Sequence, residues 1–329
     1  MIRSDLADMN TKKKNARSTF DSYLFILLIA FEILMSFTFL GYIHVPPVSI
    51  TFAYMPIIIA ACLLGTMEST VMGAVFGLAS MYKATAYYVT EADMIFSPFL
   101  SGRPAESFIL AVVTRTLFGL LIGLAFGALK KRSKKHMKIR IGIVTLIAPG
   151  FYAMLVYAAM GIFFPDITRG YMHSVTLNLS AIILSVAGVV IIELIWGLYN
   201  QSFLKKFKSA VDNAQKIPYS DSRKKHTIIW LSTFLAFCMT LIAAFYFSQR
   251  TSYMLGIHGI AVSPEINNDL TNIHVQFMAA MFSLNIMSIV ILILMYQYTS
   301  YKNFLGELDT VTGAMGRRLF LNCCERAQK

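Results

Sequence analysis

SFILAVVTRTLFGLLIGLAFGALKKRSKKHMKIR, residues 107–140, decides the class of fold. From Ser107 to Leu129 the only ionisable side chain is Arg115, and the run is long enough to cross about 30 Å of hydrocarbon as an α-helix. Lys130, Lys131, Arg132, Lys134, Lys135, Lys138 and Arg140 then follow without one acid, the mark of a connection held on the cytoplasmic face. The whole chain repeats the pattern. Its 329 residues are 57% hydrophobic and 14% charged, with a mean hydropathy of +0.62, too little polar surface for an ordinary soluble protein. The net charge of +12 does not indicate nucleic acid, because the basic residues lie between apolar runs rather than on the face of a soluble domain.

Working outward, further apolar runs occupy Tyr23 to Ile43, Ser49 to Leu64, Thr70 to Tyr88, Ile141 to Phe164, Val175 to Leu198, Ile228 to Phe247 and Phe277 to Tyr298. With Ser107 to Leu129 they predict eight spans. The fold class expected is therefore all-α, a polytopic membrane helical bundle made of a six-helix module and two further transmembrane helices. Pro56 predicts a kink in the short second run, tolerated where neighbouring helices satisfy the freed carbonyl. The basic leader (Lys12, Lys13, Lys14, Arg17) precedes a run too long for a signal peptide, so the first helix is expected to remain as an anchor.

Counting Lys and Arg puts the leader, residues 130–140 and residues 201–226 on one side. The connections Thr90 to Glu106, Pro165 to Ser174 and Ser248 to Gln276 are acidic by comparison and face the other. An even number of spans leaves both termini in the cytoplasm. The resulting division is a cytoplasmic leader (1–22), a module of six spans (23–200), a basic cytoplasmic loop (201–227), a transmembrane pair with its outer loop (228–300) and a cytoplasmic tail (301–329).

Gly119, Gly123 and Gly127 recur every four residues on the fourth span, as do Gly73 and Gly77 on the third, which predicts close helix contacts on those faces. Intramembrane charge marks the candidate sites, since an ionisable group at mid-bilayer needs a partner or water. Glu32 on the first span and Arg115 on the fourth either pair as a structural salt bridge, or Arg115 faces an outward cavity and holds an anionic ligand group. Glu193 lies toward the inner end of the sixth span. Lys83, with Tyr82, Tyr87 and Tyr88, is either part of an aromatic belt or the rim of a ligand site. Neither a metal-ligand spacing among His44, His173, His258 and His274 nor a disulfide framework among Cys62, Cys238, Cys323 and Cys324 is present, so no metal is expected.

Val45 to Lys131 resembles the substrate-binding S components of energy-coupling-factor vitamin transporters, of the pantothenate and folate type. The shared features are a Ser-Ile-Thr-led span with a proline, a Leu63-Leu64-Gly65 turn, Phe76-Gly77-Leu78, a Ser97-Pro98-Phe99 loop and an Arg in a Gly-rich fourth span. The resemblance implies six helices around an outward-facing pocket for a small vitamin-like ligand, with Arg115, Lys83, Tyr87 and Tyr42 as its binding residues. The chain departs from that family where Ala30 is followed four residues later by Leu34, not by a second alanine, so the family's docking face for the energising subunit is missing.

A second resemblance lies in the tail. Asp309-Thr310-Val311-Thr312-Gly313-Ala314-Met315-Gly316-Arg317-Arg318-Leu319-Phe320 resembles the D-x-L-T-G-L-x-N-R-R-x-F opening of GGDEF diguanylate cyclase domains. Asp309, Thr312, Gly313, Arg317, Arg318 and Phe320 match, while Gly316 replaces the family's asparagine. The resemblance implies a membrane sensor region that signals to a cyclase through a homodimer formed along the C-terminal helix. The catalytic GGDEF signature is not among these residues, so no catalytic residue, GTP or Mg²⁺ site is assigned to the chain, and an inactive, early-ending cyclase is expected. The alternative is an S component of a vitamin transporter.

Overall fold

The computed structural model describes residues 18–38, 40–45, 48–86, 91–131, 136–166, 179–214, 222–259 and 263–308, with 316, 317, 320, 321 and 324 in the tail. The protein is a membrane-embedded, multi-pass bundle of α-helices. The elements in order are α1 (Thr19–Phe37), a hairpin of β1 (Tyr42–Val45) and β2 (Val48–Thr51), α2 (Met55–Leu63), α3 (Thr66–Lys83) and a short turn α4 (Glu91–Met94). They continue with α5 (Pro104–Lys131), α6 (Met137–Phe163), α7 (Leu179–Asn200), α8 (Ser202–Ala214), α9 (Ser222–Ile257) and α10 (Pro264–Gly306).

The helices differ in several places from the expected runs. Among the described residues five helices are long and apolar enough to cross a membrane, or six if the bent pair α7–α8 counts as one, where eight runs were expected over the whole chain. The run expected from Tyr23 to Ile43 stops at Phe37, because the chain doubles back. The Thr38 hydroxyl donates to the Leu34 carbonyl at 2.7 Å, and a Cβ at Gly41 would lie 2.2 Å from the Met35 oxygen, so only glycine lets the return pass that close. The Gly41 carbonyl then accepts from Phe52 N (2.7 Å) and Ala53 N (3.2 Å). Between these turns the β-branched residues of 42–51 pair antiparallel, Tyr42 opposite Thr51 and Val45 opposite Val48. The run expected from Ser49 to Leu64 is therefore part strand and part helix. Pro56 sits in the first turn of α2, where its missing N–H costs nothing, and it kinks no helix.

The core gathers around α2, whose Ile57, Ile58, Ala60 and Ala61 have no exposed surface, and around Phe76, Phe118 and Phe126. Gly65, at φ +155°, makes the turn from α2 to α3 in a conformation open to glycine alone. The glycine ladders meet as expected. A Cβ at Gly73 would lie 2.3 Å from the Arg115 oxygen, one at Gly119 would lie 2.2 Å from the Ser69 oxygen, and one at Gly123 would lie 2.6 Å from Thr66 Cα. Backbone rests on backbone there, and the Ser69 hydroxyl crosses the gap to donate to the Gly119 carbonyl at 2.8 Å.

The bundle has two ends. At one, Phe37 meets Tyr82 at 6.1 Å, and the Arg103 guanidinium donates to the Phe163 carbonyl at 3.0 Å. This rim end carries the hairpin. At the other, Lys208 of α8 pairs with Asp21 at 2.7 Å, and Asp212 caps the start of α1 by accepting from Ser18 Oγ (2.8 Å) and Phe20 N (3.0 Å). Burial works to lower the Lys208 pKa, but its hydrogen bonds to Asp21 and Tyr199 outweigh burial and hold it above the ordinary lysine value. Lys130, at the end of α5, lies within electrostatic reach of Glu68 and Asp21, so this is the basic end. Residues 201–227, expected as a loop, include the helix α8.

Candidate functional site

Arg115 is held by the way α5 begins. Residues Ile109–Val113 form a π-helical turn, whose wider winding frees carbonyls from the regular i→i−4 ladder. Thr114-Arg115-Thr116 supplies the missing donors. The Thr114 hydroxyl donates to the Leu110 carbonyl, Arg115 Nη1 to Ala111 at 2.7 Å, and the Thr116 hydroxyl to Val112 at 2.8 Å. The guanidinium, 5% exposed in Arg115 as a whole, lies between two phenyl rings, 4.9 Å from Phe76 and 5.1 Å from Phe96. Tyr152 closes the cage, with its ring 5.3 Å from Phe118, 5.8 Å from Tyr54 and 6.1 Å from Phe76, and it lies within electrostatic reach of Arg115.

Glu32 is wholly buried at a similar depth. It feels the Arg115 charge but makes no salt bridge to it; its Oε1 accepts from the Ser36 hydroxyl at 3.3 Å. Glu32 Oε2 and Arg115 Nε find no hydrogen-bond partner. The pair is thus a buried guanidinium and a buried carboxyl group, each with one open hydrogen-bonding position, set among aromatic rings. Such an arrangement suits a small polar guest, since an Arg edge can take a carboxylate and the rings can take an apolar body.

The other candidate residues lie apart from this chamber or beyond the described residues. Lys83 ends α3 at the rim, half-buried and attracted by Asp93. Tyr42 lies on β1 opposite Thr51, and Tyr87 is outside the described residues. Of the tail motif, Asp309, Thr312, Gly313 and Arg318 are outside them as well. Arg317 and Phe320 fall in a turn of helix in which Phe320 N donates to Gly316 O at 3.0 Å, and Phe320 is 57% exposed. Sequence reasoning missed Phe76, Phe96, Tyr152 and Ser36. A tyrosine midway along an apolar run was the available signal for Tyr152; the ring at Phe96 reaches the site through chain reversal, which no spacing reveals.

α10 connects this module to the tail. At the rim Asn272 Nδ2 donates to Thr85 Oγ1 at 3.2 Å, and Gln276 Nε2 to Asn272 Oδ1 at 2.8 Å. At the basic end Gln297 Nε2 donates to the Tyr23 hydroxyl at 3.3 Å, and Tyr298 stacks on Phe207 at 4.9 Å. α9 leans mainly on α10, through Phe237 on Phe282 at 5.1 Å and Asn285 on Thr240, and otherwise exposes its apolar side chains. A scan against protein-family models finds no match for this chain, and no curated protein matches it.

Proposed function

We propose that the chain is the membrane sensor region of a diguanylate cyclase, binding a small vitamin-like acid from outside and signalling to a cytoplasmic GGDEF domain whose opening is Asp309 to Phe320. The observation that carries the reading is α10. It is an unbroken helix of 43 residues, about 65 Å at 1.5 Å per residue, roughly twice the length a bilayer requires. It is hydrogen-bonded to the module at both ends and leads straight into the tail motif. A rigid rod fixed to a binding module and projecting beyond the membrane serves a transmitter better than a carrier, which has no use for α9 and α10.

In this reading the basic end faces the cytoplasm of a bacterial cell, and Arg115 takes the ligand's carboxylate while Phe76 and Tyr152 flank its body. Entry requires the connection carrying Phe96 to lift from the guanidinium. The test is a thermal-shift panel of vitamins, pantothenate and folate included, on detergent-solubilised protein. An acidic vitamin is expected to raise the melting temperature by an amount that grows with ligand concentration over Kd. Arg115→Lys, which keeps the charge but loses the planar fork, should lose most of that rise. Stabilisation unchanged in the variant, or by no acid in the parent, would overturn the assignment.

A further inference from the structure

At the basic end an open groove of about 380 Å³ separates α8 from α10. Lys205, Lys206, Ser209 and Ala210 line one wall, and Tyr301, Lys302 and Leu305 line the other, so three lysines and no acidic residue border it. Among the described residues none of the three lysines has an ion-pair partner; Lys302 leans on the Tyr298 ring, 5.9 Å away. Uncompensated cations around a concavity call for an anion.

The groove's position identifies which anion. In α8 the apolar residues recur at helical spacing (Leu204, Phe207, Val211, Ala214), and Val211 is wholly buried against the bundle while Lys205 and Lys206 are exposed. The helix turns 61° away from α7 and carries Phe203, 64% exposed, at its start. Such a helix lies in the membrane interface, at the level marked by Tyr199 and Tyr298. We propose that the groove seats the headgroup of an anionic glycerophospholipid from the adjoining leaflet. Lys205, Lys206 and Lys302 take its phosphodiester, and the hydroxyls of Ser209 and Tyr301 donate to the remaining oxygens. Because one wall is α8 and the other α10, the lipid ties the exit of α10 to the helix that caps α1. This site stands independently of any ligand at Arg115.

Native mass spectrometry of the detergent-solubilised protein, titrated with phosphatidylglycerol or phosphatidylcholine, tests it. The parent is expected to retain phosphatidylglycerol roughly tenfold or more in excess over phosphatidylcholine, and K205Q/K206Q/K302Q to lose that preference. K131Q/K134Q/K138Q, which removes the same charge from another basic connection, should keep it. If the triple variant does not fold, K205Q/K206Q serves in its place, since neither side chain is bonded to the rest of the bundle. Equal retention of both lipids by the parent, or an unaltered preference in the groove variant, would overturn the proposal. Displacement of phosphatidylglycerol by inorganic phosphate alone would overturn the lipid assignment and leave a soluble phosphate as the occupant.

Discussion

Arg115 stands where a cation is costly, and its surroundings show how the cost is divided. Two phenyl rings and two carbonyls take part of the charge, and the Glu32 carboxyl lies within electrostatic reach without touching it. Removing one member of such a couple leaves the other as an uncompensated buried charge, which costs more than the pair contributes. Arg115→Met is therefore expected to lower stability by about 3 kcal/mol, and Glu32→Gln made in the same chain to restore most of it. Chemical denaturation of the single and double variants checks this; a double variant as unstable as Arg115→Met would show that the two residues act independently. The chemistry of the site was legible at Arg115 and Glu32, because a charge in an apolar run cannot be incidental. Their relation was less so, since run spacing places two residues at one depth but cannot say whether their side chains meet.

At the scale of elements, glycine pattern translated directly into packing, and irregular backbone did not. Gly73 and Gly119 mark backbone contact, whereas Gly150 and Gly161 lie in α6 with nothing within 4 Å of a Cβ. Gly73→Ala and Gly119→Ala should each cost about 1–3 kcal/mol, because the neighbour they meet is rigid main chain. Gly150→Ala should instead stabilise α6 by up to about 1 kcal/mol through helix propensity. Thermal melting of the three variants in one detergent distinguishes the cases, and equal effects would refute the packing account. The hairpin at 42–51 escaped the reading because Tyr, Ile and Val are apolar whether they form strand or helix, and hydropathy alone does not separate the two. Pro56 was placed mid-helix for the same reason. α8 was hidden by its own lysines, which register as a loop when counted by charge and as an amphipathic helix when counted by period.

For the whole molecule, the alternation of basic and acidic connections becomes a separation of two ends, with Lys130 and Lys208 at one and Arg103 and Asp93 at the other. In the proposed reading the metal carboxylates and phosphate loop of cyclisation belong to a GGDEF signature that lies outside these 329 residues, so this polypeptide given GTP and Mg²⁺ should form no cyclic di-GMP, and measurable turnover would end that reading. Orientation can be tested with a reporter already in the sequence. Cys324 lies exposed in the tail and Cys62 is buried. The proposed orientation has the tail inside, so a membrane-impermeant maleimide should leave Cys324 unmodified in intact cells and modify it once the membrane is opened. In a background with Cys62, Cys238 and Cys323 replaced by serine, Asn268→Cys at the exposed start of α10 should react from outside before permeabilisation. A cysteine introduced at Ser133 should follow Cys324. Reaction of Cys324 in intact cells together with silence at Asn268→Cys would invert the molecule in the membrane, turning the Arg115 chamber toward the cytoplasm and removing the basis for an external ligand.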